Sequence, residues 1–318
     1  MMPLTPLRIG ISSCLLGETV RYDGGHKRDR FLVDTLGRYV EWVPVCPELE
    51  VGMGVPRESL RLLRSAGGTR LVAIKSRQDY TRVMQKWVRA RLADLAKESL
   101  CGYVLKSRSP SCGMERVPIY DENGVPAKKG IGAFAGPLLE RFPHLPVEEE
   151  GRLHDPKLRE NFIERVFARN RLLSLFAGRW KTRNVVEFHT HHKLQLMSHS
   201  PKDYRQLGLL VATIKQEPRR VFRDQYESGF MTALRKKATR GRHANVLQHA
   251  AGYVREGIDS SSRQELSSVI EDFRQGLVPL IVPITLLRHH VRQLKVAYLE
   301  NQHYLSPHPK ELMLRNHV

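Results

Sequence analysis

The sequence predicts an α/β region followed by an all-helical one. Three observations carry this. Strand-like and helix-like segments alternate through the first half, helical spacing dominates the second, and charge and histidine content change between them. At 318 residues and 36.5 kDa the chain is long enough for two domains of roughly 150 residues each. Residues 1–155 carry 24 basic and 19 acidic side chains, and residues 156–318 carry 28 and 14. Eleven of the fourteen histidines follow residue 188. The boundary is expected near Glu148–Pro156, where an acidic run meets Gly151 and Pro156, giving domains at 1–155 and 156–318.

In the first half, Arg8–Ser13 is a short β-rich run ending at Cys14, and Tyr39–Val45 alternates and ends at Cys46. Thr69–Lys75 and Gly102–Lys106 are further strand candidates. Asp79–Leu100 has helical spacing, with Val83, Trp87, Leu92 and Leu95 near one face, and Gly130–Arg141 reads as a second helix. Such alternation predicts a mainly parallel sheet. In the second half the helices are expected at Pro156–Phe176, Val185–Met197, Pro201–Ile214, Pro218–Lys237, Ala244–Arg255, Ser262–Gln275 and Ile284–Gln302. Pro218, Pro283 and the Ser260–Ser262 run suit helix starts.

Hydrophobic residues at 41% and charged residues at 27% exclude a largely disordered chain. No apolar run approaches the roughly 20 residues of a membrane span, so no membrane partner is expected. The N-terminus lacks the pattern of a secretory signal, and a cytoplasmic setting is the expectation. The net charge of +19, with pI about 10.1, points to nucleic acid or another anionic partner, against the alternative of a solubilising surface.

The four cysteines, Cys14, Cys46, Cys101 and Cys112, all lie in the first 112 residues. In a reducing compartment, metal binding or catalysis outranks disulfides. Cys14, Cys46 and Cys112 each follow the end of an expected strand, directly or after a short loop. In an open α/β sheet those ends converge on one crevice. Three thiolates suit a [4Fe–4S] cluster with one iron left open, and they also suit zinc; three buried inert cysteines are the bland alternative. Spacing alone does not choose among these.

The flanking residues do. They read SSCLLGETVRYDGG around Cys14, VCPELEVGMGVPR around Cys46 and LKSRSPSCG around Cys112. Over about residues 7–145 the sequence resembles the thiouracil desulfidase family (TudS). The resemblance implies that Cys14, Cys46 and Cys112 hold a [4Fe–4S] cluster through three irons. The fourth iron would take the sulfur of a thiolated uracil, hydrolysis would leave a carbonyl, and the sulfur would depart as sulfide. Cys101 lies outside these motifs and reads as a core cysteine.

Glu48, two residues after Cys46, is the best-placed carboxylate for moving a proton, against a capping or salt-bridging role. Ser109 and Ser111 bracket Pro110. The resemblance favours Ser109 as a substrate-positioning hydroxyl, against a turn-forming serine, and Ser111 joins the catalytic candidates. Ser13 is a candidate hydrogen-bond partner for a cluster sulfur. Arg21, Tyr22 and Asp23 order a loop or bind substrate, and Arg57 faces phosphate or a buried acid.

The segments NVLQHAAGYV, LIVPITLLRHH and YLENQHYLSPHPKELMLRNHV resemble the helical domain of unknown function fused to this desulfidase domain in many bacteria. That fused form is similar to desulfidases acting on 4-thiouridine in tRNA, so tRNA is the expected partner, with no protein partner implied. The densest basic clusters are Arg219–Arg220 and Arg235, Lys236, Lys237, Arg240 and Arg242. They are candidate phosphate contacts, against a solvated helix face. His189, His191 and His192 lack an obvious further ligand set for zinc, and Tyr298 and Tyr304 read as packing residues before base-stacking ones. The leading reading is a [4Fe–4S]-dependent desulfidase of 4-thiouridine in tRNA. The alternatives are a desulfidase of free thiouracil and an RNA-binding protein with a structural metal, the last requiring a fourth ligand such as Cys101.

Overall fold

The computed structural model describes residues 7–317, which divide into two compact units at residues 7–155 and 156–317. The first unit contains strands β1 (Arg8–Ser12), β2 (Glu41–Val45), β3 (Leu60–Ser65), β4 (Gly68–Ala73), β5 (Gly102–Leu105), β6 (Val117–Tyr120), β7 (Pro126–Gly130) and β8 (Val147–Glu149). Its helices are α1 (Pro47–Glu50), α2 (Thr81–Leu95) and α3 (Ala135–Arg141).

Strands β2, β1, β5 and β8, in that order, form a parallel sheet. β5 is buried throughout and β1 nearly so, as expected of central parallel strands covered on both faces. Gly10 in β1 is required by packing: a Cβ there would lie 2.2 Å from the ring of Tyr103. Because β2 and β5 flank β1 on opposite sides, the strand order reverses there. The crevice at the carboxyl ends of the strands opens at such a point.

A second sheet, with order β4-β3-β6-β7, was not expected from the sequence. It joins two antiparallel hairpins through the parallel pair β3 and β6. The candidate strand Thr69–Lys75 belongs here, as β4, and not to the parallel sheet. LRLLRS and PAKKG carry charges on their exposed positions, which hides the strand pattern, while Leu62 and Leu71 face each other in register and are buried.

Helix α2 starts at Thr81 because the carboxylate of Asp79 accepts from the Thr81 backbone N–H at 2.8 Å and pairs with Arg70. Its buried face is Met84, Val88, Leu92 and Leu95. Val83 is instead 44% exposed, so the face is turned by about one residue from the sequence expectation. Trp87, half-buried, packs on Phe134 with ring centroids 5.7 Å apart.

The second unit is built of α4 (Pro156–Phe176), α5 (Thr182–His199), α6 (Pro201–Ala212), α7 (Arg219–Arg235), α8 (Arg240–Gly252), α9 (Ser260–Gln275), α10 (Ile281–Leu294) and α11 (Ala297–Glu300). Side-chain caps set three of the starts: Ser200 for α6, Thr239 for α8 and Asp259 for α9 each accept a backbone N–H. The Thr239 cap brings Arg240 and Arg242 into the first turn of α8, four residues before the expected start. The expected helix Ile284–Gln302 is two helices, broken where Lys295 adopts a left-handed conformation at φ 52°. Pro283 sits in the first turn of α10, where its missing N–H costs no helical bond. Phe222, Tyr226 and Phe230 on α7 centre one apolar core with Phe176, Trp180 and Phe188; α8, α9 and α10 close a second. Among the described residues, no helix is long and apolar enough to cross a membrane.

A three-cysteine candidate active site

Three strand ends deliver three cysteines to one cavity of about 380 Å³. Cys14 lies in a 3-10 turn, Ser13–Leu16, that directly follows β1 and closes on Gly17 at φ 101°. Cys46 is the residue after β2 and precedes α1; its backbone N–H donates to Glu50 Oε1 at 3.1 Å. Cys112 lies on the loop after β5. The carbonyls of Pro110 and Ser111 accept from Ala133 and Phe134, both at 2.9 Å, which fixes that loop. Gly132 allows the approach, since a Cβ there would meet the Ser111 carbonyl oxygen at 2.4 Å. Cys101 is wholly buried, its thiol 3.8 Å from the carbonyl of Ser99, and is not part of the cavity wall.

Burial pushes the Cys14 thiol up to about 11, with Lys106 pulling partly back. Burial also raises Cys46, and it raises Cys112 far above the usual thiol value against a hydrogen bond from Ser12. Such thiols are neutral until a cationic group takes them as thiolates. Among the described residues, no three His, Cys, Asp or Glu side chains group so as to hold one metal ion.

Glu48 lines the same cavity and is locked from behind. Arg57 donates to its Oε2 through Nε at 3.0 Å and Nη2 at 2.8 Å, with the two side chains 7% and 14% exposed. Arg57 is itself held by the carbonyls of Val20 and Gly54 at 2.9 Å. Ser111 donates to Glu48 Oε1 at 2.9 Å. Ser111, expected among the catalytic hydroxyls, is fully buried and does not line the cavity; it positions the carboxylate. Ser109 does line it, and its oxygen accepts from the N–H groups of Ser111 at 3.2 Å and Cys112 at 3.0 Å. Its own hydroxyl proton is left to donate to a ligand. Ser13 is on the wall, but the hydroxyl that reaches a thiol is that of Ser12, on Cys112.

The residues that sequence reasoning missed are Ser12 and Lys106. Ser12 Oγ accepts from the Lys106 backbone N–H at 3.0 Å, tying the ends of β1 and β5 together. Lys106 lines the cavity and pairs with Glu150, whose Oε2 also accepts the Ser107 N–H at 2.7 Å. Asp23 accepts from Gly25 N–H at 3.0 Å and pairs with Arg21, so the RYDGG loop orders itself and places Arg21 on the rim.

In the second unit the basic clusters divide. Lys236 pairs with Asp203 at 2.5 Å, and Arg242 donates to the His199 carbonyl at 2.8 Å. Arg240 lies over the Phe273 ring, and Arg219 lies over Trp180 and donates to its carbonyl. Each of these four of the seven expected phosphate contacts meets an acid, carbonyl or ring in a neighbouring element, and three of them, Arg219, Lys236 and Arg240, stay exposed. Arg220, Arg235 and Lys237 are exposed. His189 bonds the Tyr226 hydroxyl at 3.1 Å, and His192 takes the Phe188 carbonyl at 2.7 Å and Arg171 at 3.2 Å, so both are packing residues. Tyr304 is buried against His243, and Tyr298 packs on Tyr253.

Fold and cavity together define an α/β domain with a three-thiol site at its strand ends, followed by a basic helical domain. The family model for 2-thiouracil desulfurase matches residues 9–150, and that for a protein of unknown function (DUF1722) matches residues 193–309. The uncharacterized protein YbgA of Escherichia coli is 33% identical over 158 residues, 49% of this chain and 94% of the relative. The uncharacterized protein YbbK of Bacillus subtilis is 33% identical over 111 residues, 32% of this chain and 71% of the relative. A solved structure of the [4Fe-4S]-dependent thiouracil desulfidase TudS is 30% identical, covering 46% of this chain and 93% of that one, with a TM-score of 0.38. The chain belongs to the 2-thiouracil desulfurase family through its first unit and carries a DUF1722 region in its second.

Proposed function

We propose that this chain is a [4Fe–4S]-dependent desulfidase that converts 4-thiouridine in tRNA to uridine. One observation carries the chemistry: two buried cysteines, a half-buried third and a locked carboxylate line one cavity. The donor set fits such a cluster. The thiols number three, Cys101 lies elsewhere, and the site lacks the close grouping that a single ion needs. A structural zinc, by contrast, closes with four ligands. Cys14, Cys46 and Cys112 would hold the cluster, which when bound supplies a Lewis-acidic iron open to a substrate sulfur.

The remaining chemistry falls to this chain's side chains. Glu48 takes a proton from a water directed at the thiocarbonyl carbon. Arg57 and Ser111 keep its oxygens aimed as that proton moves. Ser109 donates its hydroxyl proton to the pyrimidine ring and orients it. The overall balance is one water consumed and one hydrogen sulfide released, with no net electron transfer. The excess charge of residues 156–318 favours a polynucleotide substrate over a free neutral base, and Arg219, Arg220, Arg235, Lys236, Lys237 and Arg240 are exposed cations on offer.

The test is incubation of anaerobically reconstituted protein with total tRNA containing 4-thiouridine, followed by nucleoside mass spectrometry. Loss of 4-thiouridine with equal gain of uridine, absent in Cys112→Ala, is the expected result. Turnover of free thiouracil with tRNA untouched would move the substrate to the free base.

A further inference from the structure

The last stretch of the second unit is a strap of short 3-10 turns: His303–Leu305, Lys310–Leu312 and Leu314–Asn316. Met313 joins the last two at φ 49°. Two guanidinium groups hold the strap's backbone. Arg171 from α4 donates to the Pro307 carbonyl at 2.9 Å, and Arg315 donates to the Tyr304 carbonyl at 2.5 Å. Placing two arginines on backbone carbonyls of irregular chain is an expensive way to shape a segment unless the shape is used.

What it shapes is a cavity of about 220 Å³ between the strap and α10. Arg288, His308, Lys310 and Arg315 line it, with Ser306 and Asn316. Among the described residues, no aspartate or glutamate is on its wall. Neither Arg288 nor Lys310 has an ion-pair partner among the described residues, whereas Arg315 pairs with Glu160 and Glu164. Arg315 is 4% exposed, with its Nη2 3.6 Å from Glu164 Oε1, whereas the buried Nε2 of His308 has no hydrogen-bond partner. The other ring nitrogen of His308 takes the Pro309 carbonyl at 3.2 Å.

The wall chemistry selects the ligand. Arg315 is balanced by its two acids, but the guanidinium of Arg288 and the ammonium of Lys310, with no acid opposite them on the wall, exclude cations and favour an oxyanion. Donors arriving from α10 and from two turns of the strap suit a tetrahedral group better than a planar carboxylate. The lone nitrogen of His308 suits a phosphate hydroxyl, or takes a proton together with the anion. A volume below the roughly 300–1,000 Å³ of sites for drug-sized ligands fits one phosphate, not a whole nucleotide. We propose that this cavity is a phosphate-binding site, taking the phosphate of a phosphodiester or of a small phosphomonoester.

The test uses the full chain and the double variant Arg288→Gln with Lys310→Gln. Both side chains lie outside the buried ion-pair network, and an unchanged circular dichroism melt verifies the fold. Inorganic phosphate is titrated by ³¹P NMR and a single-stranded oligonucleotide by calorimetry at several salt concentrations. The expected result is saturable phosphate binding that the double variant weakens at least tenfold. If the source is a phosphodiester, the variant also weakens the oligonucleotide and lowers its salt slope by about 1–2. If the source is a free phosphate, only the phosphate arm responds. Equal binding of both probes by the parent chain and the variant would overturn the proposal. Neither arm depends on turnover, so failure of the desulfidase reading would leave this result standing.

Discussion

The two units use their charged side chains in opposite ways. In the first, Glu48, Arg57, Lys106 and Arg21 are gathered at the wall of an open cavity beside three thiols. In the second, a comparable set is sealed inside. Glu164 accepts from Gln195 at 2.8 Å and His199 at 3.1 Å, while Arg315 pairs with Glu160 at 3.2 Å. Burial lifts the Glu160 carboxyl. For Glu164 burial acts the same way but is outweighed by His199 and Arg315, which hold it low. The difference teaches that a basic composition is not a map of a binding surface. Part of the second unit's charge builds the fold, whereas in the first unit the charges frame a site.

The contrast is sharpest in what single substitutions do. Glu48→Gln should lower kcat by about 10²–10⁴, the range for removing a general base, and a fall in stability accompanies it because the buried Arg57 loses its acid. Ser111→Ala should cost less and act on kcat through the same carboxylate; a loss confined to KM would contradict its positioning role. In the second unit, Glu164→Gln takes the acid from His199 and leaves Arg315 with Glu160 alone. Removing one partner of a buried pair costs roughly 3–5 kcal/mol, so the urea midpoint should drop sharply while the cavity chemistry on a free base is spared. A midpoint unchanged by this substitution would break the comparison.

Acid should also separate the units. Burial holds His189 down to about 4 and His243 to about 3, and His192 well below the ordinary value. A base with a lowered folded pKa contributes stability in full above about pH 6.5 and loses it as the pH falls, because the unfolded chain binds the proton first. Each should withdraw up to about 2 kcal/mol between pH 7 and pH 5, at roughly 1.36 kcal/mol per pKa unit. His199 runs the other way. Burial opposes its charge, but Glu164 and the Lys236 carbonyl raise it, so its contribution is full at low pH and fades as pH rises through the raised value. Burial lowers His303 to about 3 and His308 to about 4 as well, while Glu160, raised to about 7, joins His199 in favouring acid. Five groups against two predict a net loss of helical stability in acid, readable by urea unfolding followed by circular dichroism at pH 7 and pH 5.

Much of this was legible in the sequence, for stated reasons. The parallel sheet was visible because fully buried strands such as GYVL leave an apolar run, and the three cysteines because each sits just past a strand or its loop. The second sheet was not, since PAKKG and LRLLRS expose charges where a strand pattern would show. Glu48 was legible beside Cys46, but its lock by Ser111 is a contact across 63 residues and the Ser12–Lys106 tie spans 94, separations that no local pattern encodes. Likewise, nothing local distinguished Arg242, spent on the His199 carbonyl, from the exposed Arg235.

The most direct test of the three-thiol site is the iron and acid-labile sulfide content of the anaerobically reconstituted full chain, beside Cys14→Ala, Cys46→Ala, Cys112→Ala and Cys101→Ala. About four irons and four sulfides per chain are expected in the parent and in Cys101→Ala, with the cluster lost or unstable in the other three. Retention of a full cluster by Cys112→Ala, or its loss in a folded Cys101→Ala, would contradict the assignment.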